Sequence, residues 1–273
     1  MKRIKLVSFF TILIGVLIVF LINMSITGCF STNELLIIRL GLIFAFISLW
    51  KIFSAKGKRE IGNLAFILMT VNLSFLIVSF FTVNFWNLNI ESTKGVSLAK
   101  LSDSFVISIV LISVLLIGGF RLKDFYLKKG KLIKGLLIGI ISFIILGYLA
   151  IYNPENPIEM NFLKREIGWI LLFVFSNAFM EELLFRGIFL KQLNNFIHPY
   201  LSILLMSIVF SVSHIQVSYT SDLIFFITIL LILGFVWGYL IHYTKSLWAS
   251  ILFHAGADLL IIIPIFSTFG AIK

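Results

Sequence analysis

Long apolar runs follow one another along almost the whole chain, and short polar connections separate them. A helix that crosses the hydrocarbon core of a bilayer needs about 20 mostly apolar residues. The pattern therefore predicts an all-α fold, a polytopic transmembrane helix bundle with about eight to nine spans. The nine candidate spans are roughly 6–29, 35–53, 61–84, 103–120, 132–152, 167–190, 200–217, 222–243 and 247–269.

The composition agrees with a membrane protein. Of 273 residues, 60% are hydrophobic and 12% are charged, whereas soluble domains carry about 25% charged residues. The net charge of +10 comes from short clusters between the apolar runs, where basic residues set membrane topology. We therefore expect the lipid bilayer as a partner and no nucleic acid.

The basic residues also predict an orientation. If the N-terminus is cytoplasmic, 15 Lys and Arg residues fall in inside connections and 6 outside, as the positive-inside rule requires. The Phe-, Ile- and Lys-rich composition favours a bacterial plasma membrane as the location. The first apolar run is long for a signal peptide, so we expect a retained helix; cleavage after it is the alternative.

Three ionisable residues interrupt the sixth predicted span. Glu181, Glu182 and Arg186 lie within six residues of an otherwise apolar run. Each ionised group at the centre of a bilayer helix costs ~2.5–3.5 kcal/mol on insertion scales, and such residues tend to face the bundle interior and to pair. His214, His254 and Asp258 interrupt two later spans. The simplest interpretation is one polar site shared by three helices.

Helix geometry assigns partners within this set. Glu182 and Arg186 are four residues apart and nearly stacked, whereas Glu181 points about 100° away from Glu182. Glu182 is therefore the predicted ion-pair partner of Arg186, and Glu181 is free to act as a general base. His254 and Asp258 are also four residues apart, so Asp258 can orient the imidazole or share in oxyanion binding.

Spacing alone leaves the chemistry open. A zinc ion held by Glu181, His214 and His254 is one possibility, and a metal-free acid–base site that activates water is another. The purely structural alternatives are a buried Glu182–Arg186 pair that only fixes helix packing and a protonated, hydrogen-bonded Glu181.

Three motifs in this order resemble a known family. They are Glu181-Glu182-x-x-x-Arg186-Gly187, Phe210-x-x-x-His214 and His254-x-x-x-Asp258. Over about residues 167–262 the chain resembles the CPBP family, which includes type II CAAX prenyl proteases, bacteriocin-processing enzymes and abortive-infection proteins. The last motif of that family usually ends in Asn, and Asp258 stands here instead. The first four spans match nothing assignable.

The resemblance implies an intramembrane glutamic endopeptidase that needs no metal or other cofactor, with zinc as the open alternative. Glu181 and His214 would activate water, His254 and Asp258 would stabilise the oxyanion, and Glu182 and Arg186 would hold the site or the substrate. It also implies a division into N-terminal spans of unassigned role (1–130) and a catalytic helical core (131–273). The expected partner is a peptide or protein substrate in or at the membrane.

Two other function classes compete with the peptidase. One is a non-catalytic membrane protein that binds a peptide toxin, for example an immunity protein. The other is a proton-coupled transporter, since buried carboxylates and histidines also form proton relays. Transporters often have helices broken near mid-membrane, and Pro264 is the only proline well inside a predicted span.

Overall fold

The fold consists of apolar helices. A computed structural model describes residues 13–25, 27–152, 158–217 and 220–269 of the chain. No strand occurs within those residues, which confirms the all-α prediction. The helices are α1 (Leu13–Met24), α2 (Thr32–Ala55), α3 (Arg59–Val78), α4 (Thr93–Ile117), α5 (Leu132–Ile151), α6 (Met160–Leu193), α7 (Pro199–Val212), α8 (Leu223–Thr244) and α9 (Trp248–Thr268).

Seven of these helices are long and apolar enough to cross a membrane. The polytopic bundle is therefore confirmed. The other two, α1 and α7, are apolar but shorter. Helix α7 has 14 residues, which gives it a length of about 21 Å, less than the ~30 Å hydrocarbon core. The start of the first predicted span, residues 6–12, lies outside the described residues.

Several predicted boundaries were wrong because helices continue past their apolar stretches. Helix α4 begins at Thr93 rather than near 103, where the Ser92 hydroxyl caps it by accepting from the Gly95 N–H. Helix α6 begins at Met160 rather than near 167. Hydropathy detects only the membrane-buried part of such helices. It does not detect their polar extensions, which capping and packing stabilise.

Small residues allow the closest helix contacts. Gly139 and Gly256 bring α5 and α9 together, since an added Cβ would lie 2.7 Å from Leu252 and 2.8 Å from Phe143, respectively. The Gly234-x-x-x-Gly238 pair of α8 faces α7 in the same way, where a Cβ at Gly238 would lie 2.8 Å from Ile203. Such close helix contact is typical of a G-x-x-x-G motif.

A buried polar network joins the first three helices. The Arg39 guanidinium of α2 donates to the Asn23 side chain of α1 at 2.9 Å, and the Asn23 amide donates to Asn72 of α3 at 3.1 Å. The side chain of Arg39 is itself buried. A hydrogen bond from its Nε to the Asn23 side chain thus stabilises a cation that has no carboxylate within 4 Å among the described residues.

Lysine-rich connections lie together at one end of the bundle. The Lys131 N–H donates to the Thr244 carbonyl, and the Ser246 hydroxyl donates to the Lys128 carbonyl, so the α4–α5 and α8–α9 connections are joined. Burial, followed by the positive charges of Lys191, Lys128 and Lys131, lowers the pKa of Lys245. The connection between α7 and α8 lies at the other end of α8.

Candidate active site

The helix that carries the two glutamates changes its hydrogen-bonding pattern between them. Helix α6 is α-helical to Glu181 and π-helical over Glu182–Leu190, and all nine π-helical residues are buried. π-Helical segments are rare and occur often at functional sites. The pattern of the apolar residues gave no indication of this change.

Glu182 and Arg186 form a buried ion pair, as the sequence predicted. Arg186 Nη1 lies 2.9 Å from Glu182 Oε1, and the two side chains are 1% and 0% exposed. The guanidinium also lies over the Phe210 ring, 4.4 Å from its centroid, and 5.2 Å from the centre of the Trp237 ring. The carboxylate and the aromatic faces together stabilise a cation whose side chain is almost fully buried.

Glu182 also accepts a hydrogen bond from His254. The sequence had predicted only Asp258 as a partner that orients this imidazole. His254 Nδ1 lies 2.9 Å from Glu182 Oε1, and the Ser250 hydroxyl donates to Glu182 Oε2. Trp237 stacks on the imidazole with its centroid 4.1 Å away and an interplanar angle of 9°. Because a carboxylate only accepts hydrogen bonds, Nδ1 carries the proton, and the orientation of the ring is fixed.

The other imidazole nitrogen faces the two remaining carboxyl groups. His254 Nε2 lies 3.6 Å from Glu181 Oε2 and 3.5 Å from Asp258 Oδ1. Asn177, one helical turn before Glu181, donates its amide N–H to Asp258 Oδ2 at 3.0 Å. Carboxyl groups from α6 and α9 thus converge on one atom of His254, and Asn177 joins them through Asp258.

These groups line one cavity of about 440 Å³. Its polar wall contains Asn177, Glu181, His214, His254 and Asp258, and most of the remaining wall is apolar and comes from α8 and α9. A second cavity, between α4 and α6, is lined by apolar and serine side chains and contains no titratable group. Of these two cavities, only the first is lined by glutamate, aspartate or histidine side chains.

His214 lies in the wall of this cavity but bonds to its own helix. Its Nδ1 lies 2.8 Å from the Phe210 carbonyl, so Nδ1 donates its proton and Nε2 is left as an acceptor. Within the described residues, His214 has no carboxylate closer than 4 Å. Glu182 and Arg186 do not line the cavity and lie behind its wall, which favours holding the site over touching a substrate.

The structure describes no cluster suited to a metal. No group of three or more His, Cys, Asp or Glu side chains among the described residues could hold a metal ion. Glu181, His214 and His254, the three ligands considered for zinc, share the cavity wall without forming such a group.

Sequence reasoning missed three residues of the site: Asn177, Ser250 and Trp237. Two of them had a local signal, because Asn177 precedes Glu181 by four residues and Ser250 precedes His254 by four, which places each pair on one helix face. Trp237 had none, since a Trp in an apolar helix is ordinarily part of the packing.

The fold and the site together define a polytopic membrane protein with a carboxylate–histidine cavity between its helices. Residues 164–260 match the family model described as type II CAAX prenyl endopeptidase Rce1-like. The matched segment runs from α6 into α9 and contains Glu181, Glu182, Arg186, His214, His254 and Asp258. Comparison with curated proteins gave no significant match, and comparison with solved structures gave none either.

The family match confirms the resemblance over residues 164–260. At the level of the family it supports a CAAX-type intramembrane protease, which is a hydrolase of peptide bonds. Together with the apolar helices, it indicates a multi-pass membrane protein.

Proposed function

We propose that the protein is an intramembrane glutamic endopeptidase that cleaves a membrane-associated or secreted peptide with a water activated by Glu181 and His214. The observation that carries the proposal is the difference in surroundings between the two glutamates. Glu182 is bound by Arg186, His254 and Ser250, whereas Glu181 Oε2 is buried, accepts no hydrogen bond within the described residues and faces the cavity.

In the first step the Glu181 carboxylate takes a proton from water. His214 Nε2, left as an acceptor by the bond from Nδ1 to Phe210, accepts a hydrogen bond from the same water. The water oxygen forms a bond to the carbonyl carbon of the substrate, and the C=O π electrons move to the oxygen. The product of this step is a tetrahedral oxyanion.

In the second step the oxyanion collapses and the C–N bond breaks. The leaving nitrogen takes the proton from Glu181, which yields a carboxylic acid and an amine and restores the carboxylate. His254 Nε2–H faces the same side of the cavity as Glu181 and donates to the oxyanion. In this role His254 is protonated on both nitrogens, and Glu182 and Asp258 balance its charge.

The cavity wall favours an apolar substrate segment. Phe225, Phe226 and Ile229 of α8 and Leu260 and Ile261 of α9 line it beside the polar groups. Burial of such a segment stabilises the complex in proportion to the apolar area removed from water. A secreted or membrane-associated peptide with an apolar stretch beside the cleaved bond fits this wall.

We also infer that the protein lies in a bacterial plasma membrane with a cytoplasmic N-terminus. The lysine-rich end of the bundle is then inside, and the cavity extends toward Thr220 at the opposite, outer end. Single cysteines at Glu91 and Lys129 test this orientation in a cysteine-free background. The first should react with an impermeant maleimide in intact cells and the second only after permeabilisation; the reverse pattern would overturn it.

Comparison of peptides from cells that carry the wild type and the Glu181→Gln variant tests the cleavage itself. Gln keeps the size of the side chain and removes the base, so we expect a cleavage product that disappears while the protein stays folded. The control is Glu166→Gln, at a partly buried carboxylate of the same helix that pairs with Arg165 and does not line this cavity, and it should leave the product unchanged. Full cleavage by Glu181→Gln would refute the proposal.

The same variants separate a peptidase from a binding protein. A non-catalytic immunity protein would protect cells against a peptide toxin even without Glu181 and His254. Protection that survives both substitutions would therefore favour binding over hydrolysis.

A further inference from the structure

We infer that Asn177 is a second donor to the oxyanion and therefore a catalytic residue of this site. The inference rests on the proposed function and adds a residue that none of the three motifs contains. It starts from the bonding of Asp258, the group beside His254 from which a second donor was expected.

Asp258 acts as an acceptor in this structure. Its Oδ2 accepts the Asn177 amide N–H at 3.0 Å, and its Oδ1 faces His254 Nε2 at 3.5 Å. A carboxylate so placed has no proton to give to a developing oxyanion. Asp258 is therefore suited to holding His254 and Asn177, and the donor must come from another side chain.

Asn177 is that side chain. A carboxylate can only accept, so the amide nitrogen rather than the amide oxygen must face Asp258. The nitrogen carries two hydrogens, and its only bond seen among the described residues is the one to Asp258. Asn177 also lines the cavity together with Glu181, His254 and Asp258.

The position on α6 fits this role. Asn177 and Glu181 are four residues apart on one helix and therefore lie on the same face, about 6 Å apart along the axis. A carbonyl carbon attacked by a water on Glu181 would present its oxygen to the space between His254 Nε2 and the Asn177 amide. The bond to Asp258 fixes the amide before the substrate binds, as an oxyanion donor requires.

The oxygen of the amide is consistent with the same arrangement. Asn177 Oδ1 is buried and has no hydrogen-bond partner within the described residues. The amide is held by its donor end alone.

The test measures kcat and KM on an internally quenched peptide that carries the cleavage site found in the peptide comparison above. Asn177→Asp keeps the size of the side chain and removes both N–H donors, so kcat should fall about 10²–10³-fold while KM changes little. Asn177→Ala should show the same loss without an added charge. Ser176→Ala is the control, because its hydroxyl bonds only backbone carbonyls of α6 and lines the other cavity.

A swap separates catalysis from packing. The double variant Asn177→Asp/Asp258→Asn restores an amide beside a carboxylate, now donated from α9, and should regain at least tenfold in kcat over Asn177→Asp. Wild-type kcat in Asn177→Asp and Asn177→Ala, or a swap no faster than Asn177→Asp, would overturn the inference while leaving the peptidase intact. Failure of Glu181→Gln to abolish cleavage would instead remove the proposed function, and the inference with it.

Discussion

The buried Glu182–Arg186 pair makes a sharp prediction about stability. Substituting Arg186 with Met keeps an unbranched apolar stem between Phe210 and Trp237 but removes the guanidinium that lies 2.9 Å from Glu182 Oε1. The carboxylate then stays buried with only Ser250 and His254 as partners. Leaving one partner of a buried pair uncompensated costs about 3–5 kcal/mol.

The expected loss is near the upper end of this range for two reasons. Glu182 is 0% exposed, so water cannot replace the lost partner, and the cation over Phe210 contributes up to about 2 kcal/mol of its own when desolvated. A double variant, Glu182→Gln/Arg186→Met, should be more stable than Arg186→Met alone, because the buried carboxylate that Arg186 balanced is removed with it.

The assay is reversible unfolding of the purified protein in mixed micelles of increasing SDS content, followed by far-ultraviolet circular dichroism. Arg186→Lys is the matched control, since it keeps the charge and loses the planar contact with the rings, and it should fall between the wild type and Arg186→Met. A loss below about 1 kcal/mol for Arg186→Met, or a double variant whose loss equals the sum of the single losses, would refute the reasoning.

Two further predictions concern helix packing and metal. Gly238→Ala should destabilise the protein by about 1–3 kcal/mol, because its Cβ would lie 2.8 Å from Ile203. The control Gly41→Ala should not destabilise it, because a Cβ at Gly41 meets open space. Equal unfolding midpoints for the two variants would contradict the packing argument. Treatment with a strong zinc chelator should leave cleavage unchanged. Inhibition that added zinc reverses would overturn the metal-free mechanism.

Part of this molecule follows from local sequence rules and part does not. The helices and the Glu182–Arg186 pair were predictable, because hydropathy and the four-residue helical spacing act within a short window. The bond between Asn177 and Asp258 joins residues 81 positions apart, and the bond between Glu182 and His254 joins residues 72 apart. Such contacts depend on how helices pack, which a single sequence does not encode in any local pattern.

The polar ends of helices were missed for a related reason. Helix α4 begins ten residues before its apolar run because capping by Ser92 and packing of Lys94 over Trp169 stabilise a segment that hydropathy treats as a loop. The π-helical turn after Glu181 has no compositional mark at all, since its residues would suit an α-helix equally well.

The contact between α4 and α6 bears on how this protein could be shortened or grafted. Lys100 of α4 lines the cavity and lies 5.5 Å from the centre of the Phe173 ring, yet it stands outside the segment that matches the family. A fragment that starts at residue 131 would keep all three motifs and lose this part of the wall, so lipid would reach the face of α6 that leads to Asn177 and Glu181. The part of the chain that sequence comparison identifies is therefore smaller than the part that encloses the cavity.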